Sequence, residues 1–177
     1  STNTIGGGMV IAFGCSGIVT GNTISNNKIE SSAGKWGEGV GVLVEEVIAN
    51  DFVFENNIVT NNTHVGMSCT GGGMLLYNTG GEFRNNVIVD NQATHGGGIA
   101  VWDNPGEPPL LINNTIAGNT ATTSGGGLYL SSAKADVINT IIWGNTAPTA
   151  ASIYQTGSTL TVKYSDVQGG SLWPGDG

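Results

Sequence analysis

The sequence predicts an all-β solenoid, a parallel β-helix of about six rungs. Two series of markers recur in step along the 177 residues, at Gly-rich turns and at Asn residues. The segments between them hold short β-type runs and lack amphipathic helical stretches. The composition agrees, because 30 of the residues are Gly, which builds tight turns. Together these observations indicate stacked β rungs joined by turns.

The first marker is a Gly-rich turn that leads into an apolar strand. It recurs every 25 to 34 residues, as GGGMVIAF from Gly6, GEGVGVLV from Gly37, GGGMLLYN from Gly71, GGGIAVWD from Gly96, GGGLYLSS from Gly125 and AASIYQTG from Ala150. A single unit cannot bury its own apolar face, so we expect the units to stack. The third residue after each turn start then forms an inward column of Met9, Val40, Met74, Ile99, Leu128 and Ile153. A second column follows two residues later, with Ile11, Val42, Leu76, Val101 and Leu130.

The second marker is a short strand that ends in Asn. Its copies are NTISNN to Asn27, NIVTNN to Asn62, NVIVDN to Asn91, NTIAGN to Asn119 and TIIWGN to Asn145, with a degenerate SDVQGG to Gly170. An Asn amide both donates and accepts hydrogen bonds. We therefore predict that these asparagines form a ladder that connects the rungs.

Charge and cysteine content exclude several classes of protein. Five basic against thirteen acidic residues give a net charge of −8, which provides no cationic stripe for nucleic acid. No apolar run approaches the ~18 residues of a membrane span. Cys15 and Cys69 fall at different points of the repeat, about two rungs apart, so we expect two small buried thiols and no disulfide. The low charged fraction of 10% favours an extracellular or cell-surface protein.

Two segments, Asn114 to Leu130 and Asn139 to Tyr154, are the clearest copies of a repeat N-T-I-x-G-N-T-A followed by G-G-G-I/L-Y. This repeat resembles the right-handed β-helix repeats of secreted and cell-surface proteins of bacteria and archaea, some pectate-lyase-like and some of polymorphic outer-membrane or adhesin type. The resemblance covers nearly the whole chain and implies a right-handed parallel β-helix. It implies little about function, because the family is functionally mixed. In such proteins the chain commonly continues past this point, so we expect one β-helix domain over 1–177, as a fragment or uncapped segment of a longer chain.

Catalytic signatures of β-helix enzymes are absent from the sequence. A lyase that resembles pectate lyase needs a basic residue and usually carboxylates that hold calcium, and the five basic residues occur at dissimilar repeat positions. Paired carboxylates at suitable spacing hydrolyse glycosides. The candidate pairs are Glu45–Glu46 with Asp51, and Asp103 with Glu107. Adjacent acids in loops are usually only solvated, so we assign no catalytic residue.

Metal and cofactor sites are not predicted either. The sequence has no Gly-Gly-x-Gly-x-Asp calcium repeat and no Asp-x-Asp-x-Asp loop. His64 and His95 have no Cys partner at zinc spacing, and we expect both to be surface residues of turns.

One face carries a candidate binding site. The outward positions four and six residues after each turn start hold Val10/Ala12, Gly41/Leu43, Leu75/Tyr77, Ala100/Trp102, Tyr129/Ser131 and Tyr154/Thr156. Aromatic rings flanked by acids suit sugar stacking. The candidate ligand-binding residues are Tyr77, Trp102, Asp103, Tyr129 and Glu107. The alternative is that the loops 34–38 and 103–109, or another protein, cover this face.

The function that we predict is a non-enzymatic structural or adhesion module outside the cell. Its expected partners are a polysaccharide or another copy of the chain, stacked end to end through end rungs that expose apolar residues such as Ile24 and Val162. The alternative is a polysaccharide lyase or glycoside hydrolase of the pectate-lyase-like fold.

Overall fold

The computed structural model describes residues 4–31, 35–47 and 51–169. The first rung comprises β1 (Thr4–Ile5), β2 (Met9–Ala12), β3 (Gly17–Thr20) and β4 (Thr23–Ser25). The second comprises β5 (Lys28–Ser31), β6 (Gly37–Glu38), β7 (Val42–Glu45), β8 (Phe52–Glu55) and β9 (Ile58–Thr60). The third comprises β10 (Thr63–Gly66), β11 (Cys69–Thr70), β12 (Met74–Tyr77), β13 (Glu82–Arg84) and β14 (Val87–Val89).

The second half of the chain repeats this plan. The fourth rung comprises β15 (Gln92–His95), β16 (Ile99–Trp102), β17 (Leu110–Ile112) and β18 (Thr115–Ala117). The fifth comprises β19 (Thr120–Ser124), β20 (Leu128–Ser131), β21 (Lys134–Ile138) and β22 (Ile141–Trp143). The sixth comprises β23 (Ile153–Thr156), β24 (Thr159–Lys163) and β25 (Asp166–Val167). The described residues contain no helix, and hence none long and apolar enough to cross a membrane.

Four parallel sheets run along the stack. Sheet B has the order β2-β7-β12-β16-β20-β23, sheet C β3-β8-β13-β17-β21-β24 and sheet D β4-β9-β14-β18-β22-β25. Sheet A joins β1, β6 and β11 to β15, which also pairs with β10 and β19, while β5 pairs with β10. Each rung therefore contributes one strand to each of sheets B, C and D, and the chain makes about five turns. The predicted all-β parallel solenoid is confirmed, with a turn count close to the predicted six rungs.

The core runs through the middle of the stack. Phe52, Phe54 and Phe83 fill the sheet C side, with ring centroids 5.9 Å apart between Phe52 and Phe83 and 6.3 Å apart between Phe54 and Phe83. One sheet B column contains Met9, Val42, Met74, Ile99, Leu128 and Ile153, paired in register. The neighbouring column contains Ile11, Val44, Leu76, Val101, Leu130 and Gln155. The first predicted column is right in five rungs and the second in four. Both are wrong in the second rung, where Val42 and Val44 stand in place of Val40 and Val42, and Gln155 was not predicted.

The second rung differs because its turn begins at Gly39 and not at Gly37. Gly39 has φ +57°, in the left-handed region that Gly adopts without a steric penalty. Gly37 instead lies in β6, where it pairs with Cys69 of β11. Val40 is thereby moved to a small second core with Ile29 and Cys69. The shift of two residues places Leu43 and Glu45, and not Gly41 and Leu43, on the outward face of sheet B.

The predicted Asn ladder is confirmed. The side-chain amide of Asn27 donates to Oδ1 of Asn62 at 2.8 Å, and the same bond recurs from Asn62 to Asn91, Asn91 to Asn119 and Asn119 to Asn145 at 2.9 to 3.0 Å. Sequence reasoning missed a second ladder at the preceding turn, with Asn22, Asn57, Asn86 and Asn114, continued by Thr140 and Ser165. The signal was present in the sequence as Asn residues five apart, such as Asn86 and Asn91.

Four side chains lie elsewhere than expected. Both cysteines are free, as predicted, but Cys15 is exposed and only Cys69 is buried. Ile24 and Val162, expected to be bare at the end rungs, are buried within the chain. His64 is also buried, because it lies in β10, where it pairs with β5, and not in a turn; its Nε2 forms a hydrogen bond of 2.8 Å with Oγ of Ser31.

Candidate functional site

The outward face of sheet B carries the predicted aromatic residues. Strand alternation directs Tyr77 and Trp102 outward, and the register pairs them one rung apart. Their ring centroids are 6.2 Å apart with an interplanar angle of 84°, an edge-to-face contact. Both side chains are half-buried, since they pack against the buried outward residues Leu43, Leu75 and Ala100.

These rings border a hollow of about 280 Å³, which we call the aromatic groove. Its lining residues come from sheet A, sheet B and the turn that follows sheet B, namely Glu38, Leu43, Glu45, Tyr77, Trp102 and Asp103. Three carboxylates thus surround one aromatic pair. No Lys, Arg or His belongs to this lining.

The carboxylates act on the Tyr77 phenol. The Tyr77 hydroxyl donates to Oδ2 of Asp103 over 3.5 Å. Burial, followed by the negative charges of Asp103, Glu45 and Glu46, raises the pKa of Tyr77. The phenol therefore stays protonated at neutral pH and keeps a hydrogen atom that it can donate.

A second group of rings continues the face along the stack. Tyr129 and Tyr154 stack with a centroid distance of 5.4 Å and an angle of 7°. The ring of His95, on sheet A, lies 5.0 Å from Tyr129, and its Nδ1 forms a hydrogen bond of 2.8 Å with Oγ of Ser124. Burial lowers the pKa of His95, which favours the neutral imidazole.

The structure unites most, but not all, of the predicted site. Tyr77, Trp102 and Asp103 line the aromatic groove, and Tyr129 packs on the same outward cluster without lining it. Glu107 lies apart, in a hollow beside sheet C that Gly81, Glu82, Pro108, Leu110 and Asp136 also line. Asn104 explains this separation, because its buried side chain donates to the carbonyl oxygens of Thr79 and Glu107 and holds the loop towards sheet C.

Two glycosidase pairs were considered from the sequence, and neither lies in one hollow. Asp103 and Glu107 line different hollows. Of Glu45, Glu46 and Asp51, only Glu45 lines the aromatic groove. Sequence reasoning missed the contributions of Glu38 and Glu45, which depend on the shifted turn of the second rung. Glu38 and Asp103, one from each of the two loops predicted to cover this face, border the groove, and Gly34 of the first loop lies outside the described residues.

The residues that the structure describes include no group of three or more His, Cys, Asp and Glu side chains able to hold a metal ion. Two of the basic side chains form ion pairs on other surfaces. Arg84 forms ion pairs of 2.8 Å with Glu55 and with Glu82, and Lys28 pairs with Glu30.

Fold and site define a parallel β-solenoid with an aromatic and acidic groove on one of its sheets. A family model described as the right handed beta helix region matches residues 1–121, more than half of the chain, and the chain belongs to this family. Searches among curated proteins and among solved structures found no match. The resemblance noted in the repeats is therefore confirmed for the fold.

Proposed function

We propose that this chain is a non-enzymatic structural or adhesion module, extracellular or at the cell surface, that binds polysaccharide in the aromatic groove. The observation that carries the proposal is the pair Tyr77 and Trp102, two half-buried rings on an outward sheet face beside hydrogen-bonding carboxylates. Aromatic faces pack against the apolar faces of sugar rings, and carboxylates accept hydrogen bonds from hydroxyl groups.

The test is binding to a panel of immobilised neutral, acidic and cationic polysaccharides. We expect at least one to bind, and Trp102→Ala to weaken it about tenfold, which corresponds to about 1.4 kcal/mol. The control is Trp143→Ala, because Trp143 is an exposed Trp on sheet D, away from the groove. Equal weakening by both variants, or no binding to any polysaccharide, would overturn the proposal.

One observation favours a second candidate, a glycoside hydrolase. Glu38, Glu45 and Asp103 border a single hollow, and hydrolysis of a glycosidic bond uses two carboxylates. A lyase is less favoured, because no basic side chain lines the groove. A reducing-end assay with the same panel separates binding from catalysis. Turnover that is abolished in Glu45→Gln would place the enzyme first.

A second copy of the chain is the other partner that we propose. The Asn ladder extends from Asn27 in the first rung to Asn145 at the start of the last, so a copy placed in register could continue the same hydrogen-bonding column. Sedimentation across a hundredfold range of concentration is the test. A mass that rises with concentration supports stacking, and a constant monomer mass refutes it.

A further inference from the structure

The aromatic groove is a negatively charged hollow around a pair of rings. Three of its six lining residues are Glu38, Glu45 and Asp103, and the other three are Leu43, Tyr77 and Trp102. A narrower inference, on the chemical class of the ligand, rests on the proposed polysaccharide-binding function. We propose that the ligand is a polysaccharide of amino sugars with free amines, and hence with ammonium groups that enter this groove.

Charge complementarity selects an ammonium group over a carboxylate. The face of a Trp or Tyr ring attracts a cation, and carboxylates at the rim add a direct attraction. An acidic polysaccharide would instead bring its carboxylates against three others, in a chain whose net charge is already −8.

Three of the five basic side chains of the protein itself are held on other surfaces. Arg84 pairs with Glu55 and Glu82 across sheet C, and Lys28 pairs with Glu30 on sheet A. Lys134 donates to the carbonyl oxygen of Pro105 at 3.0 Å. No basic residue belongs to the lining of the groove, so an external cation complements Glu45 and Asp103.

The shape of the aromatic face favours a polymer over a single amine. Tyr77, Trp102, Tyr129 and Tyr154 lie on four consecutive strands of sheet B. With strands about 4.8 Å apart, the outermost of these strands are separated by about 14 Å. Tyr129 and Tyr154 stack with centroids 5.4 Å apart, and this rigid aromatic pair extends the face in a way that suits a rigid sugar chain better than flexible lysine side chains.

The experiment compares three hexasaccharides by calorimetry at pH 6 and low salt. They are hexaglucosamine, its fully N-acetylated counterpart and hexagalacturonate, and the first two differ only in whether their amines are free. We expect hexaglucosamine to bind at least tenfold more tightly than the acetylated form, with an affinity that falls as salt is added. Hexagalacturonate should not bind. A hexalysine arm tests whether a basic peptide is preferred.

Matched variants place the effect in the groove. Asp103→Asn and Glu45→Gln should each reduce the preference for free amines about threefold or more, with little change for the acetylated form. Asp90→Asn is the control: it removes the same charge from an exposed left-handed turn position, where other rungs have Asn26 and Asn61. Trp102→Ala should weaken both neutral and cationic sugars.

The other possible results distinguish failure of the amino-sugar inference from failure of the proposed function. Equal affinity for free and acetylated amines would overturn this inference and leave the proposed function standing. Binding by none of the hexasaccharides or polysaccharides would end both. An equal effect of Asp90→Asn and Asp103→Asn would show attraction by net charge alone and overturn the inference. Tighter binding of hexalysine than of hexaglucosamine would overturn it in favour of a basic peptide.

Discussion

Replacing Asn91 with Ala tests the stabilising role of the Asn ladder. The Asn91 side chain is buried in the middle of the stack and makes four hydrogen bonds. Its Nδ2 donates to the carbonyl oxygen of Val59 at 2.9 Å and to Oδ1 of Asn119 at 3.0 Å. Its Oδ1 accepts from the backbone N–H and the side-chain amide of Asn62, at 3.0 and 2.9 Å.

The expected cost follows from what the substitution leaves behind. The Asn62 side chain still donates to Ile24, and Asn119 Oδ1 still accepts from the Asn91 backbone, so neither group is orphaned. The backbone N–H of Asn62 loses its acceptor in a buried position. A buried donor left without an acceptor lowers the free energy of unfolding by about 1–3 kcal/mol, and each of the other lost hydrogen bonds lowers it by about 1 kcal/mol. We therefore expect Asn91→Ala to lower the free energy of unfolding by about 4 kcal/mol and the Tm by roughly 10 °C.

The assay is urea unfolding followed by far-ultraviolet circular dichroism, together with a thermal scan. Asn85→Gly is the matched control, because Asn85 is exposed and has φ 56°, a conformation that Gly adopts readily. We expect it to change the free energy of unfolding by less than about 0.5 kcal/mol. The reasoning is refuted if Asn91→Ala costs less than about 1 kcal/mol, or if the two substitutions are equally destabilising.

Three further predictions concern close packing, pH and thiol reactivity. Gly98→Ala should lower the Tm by several degrees in a thermal scan, because the added Cβ would lie 2.6 Å from a backbone oxygen of the next rung. Gly106→Ala is the control, because a Cβ at Gly106 meets no atom closer than 3.7 Å, and it should leave the Tm unchanged. Burial lowers the pKa of His64, so below pH 6.5 the unfolded state binds more protons than the folded state. The urea concentration at the midpoint of unfolding should therefore fall as the pH drops below 6.5, and it should fall less in His64→Gln. Burial raises the pKa of Cys69 to about 12, so its thiol should not react at pH 8 in the folded protein. Mass spectrometry after thiol labelling of the folded protein should show one adduct, on the exposed Cys15, and two adducts would contradict this prediction.

The sequence predicted those features that follow from stacking alone. Two markers in step were sufficient for the fold, the Asn ladder and the placement of Tyr77 and Trp102 on the outward face one rung apart. The outward position of Glu45 could not be predicted from the sequence. Gly occurs at 37, 39 and 41, and the pattern does not show which of these residues begins the turn. In the structure, the choice depends on β6, two residues that pair with a neighbouring rung far away in the sequence.

Loops between strands were predicted less well for a related reason. The loop that holds Glu107 has no counterpart in the neighbouring rungs, so no repeat position determines its path. The path is set by Asn104, whose side chain binds two carbonyl oxygens and turns the loop away from the aromatic groove. The exposure of Cys15 likewise depends on a turn of the first rung that departs from the repeat.

The core, turn and outward columns of the solenoid are under different constraints, and these constraints indicate which positions can vary in sequence. The core columns are mostly apolar, and the turn columns are mostly Gly or Asn, because a Cβ or a missing amide would disturb the neighbouring rung. Exposed outward positions are under neither constraint, so they can change with little cost to the stack. Sheet D uses this freedom for exposed aliphatic residues such as Ile58, Val87 and Ile141, whereas sheet B has acids and aromatic rings. Under the proposed function, a change of ligand therefore requires substitutions only at outward positions such as Glu45 and Trp102, with the core and turn columns unchanged.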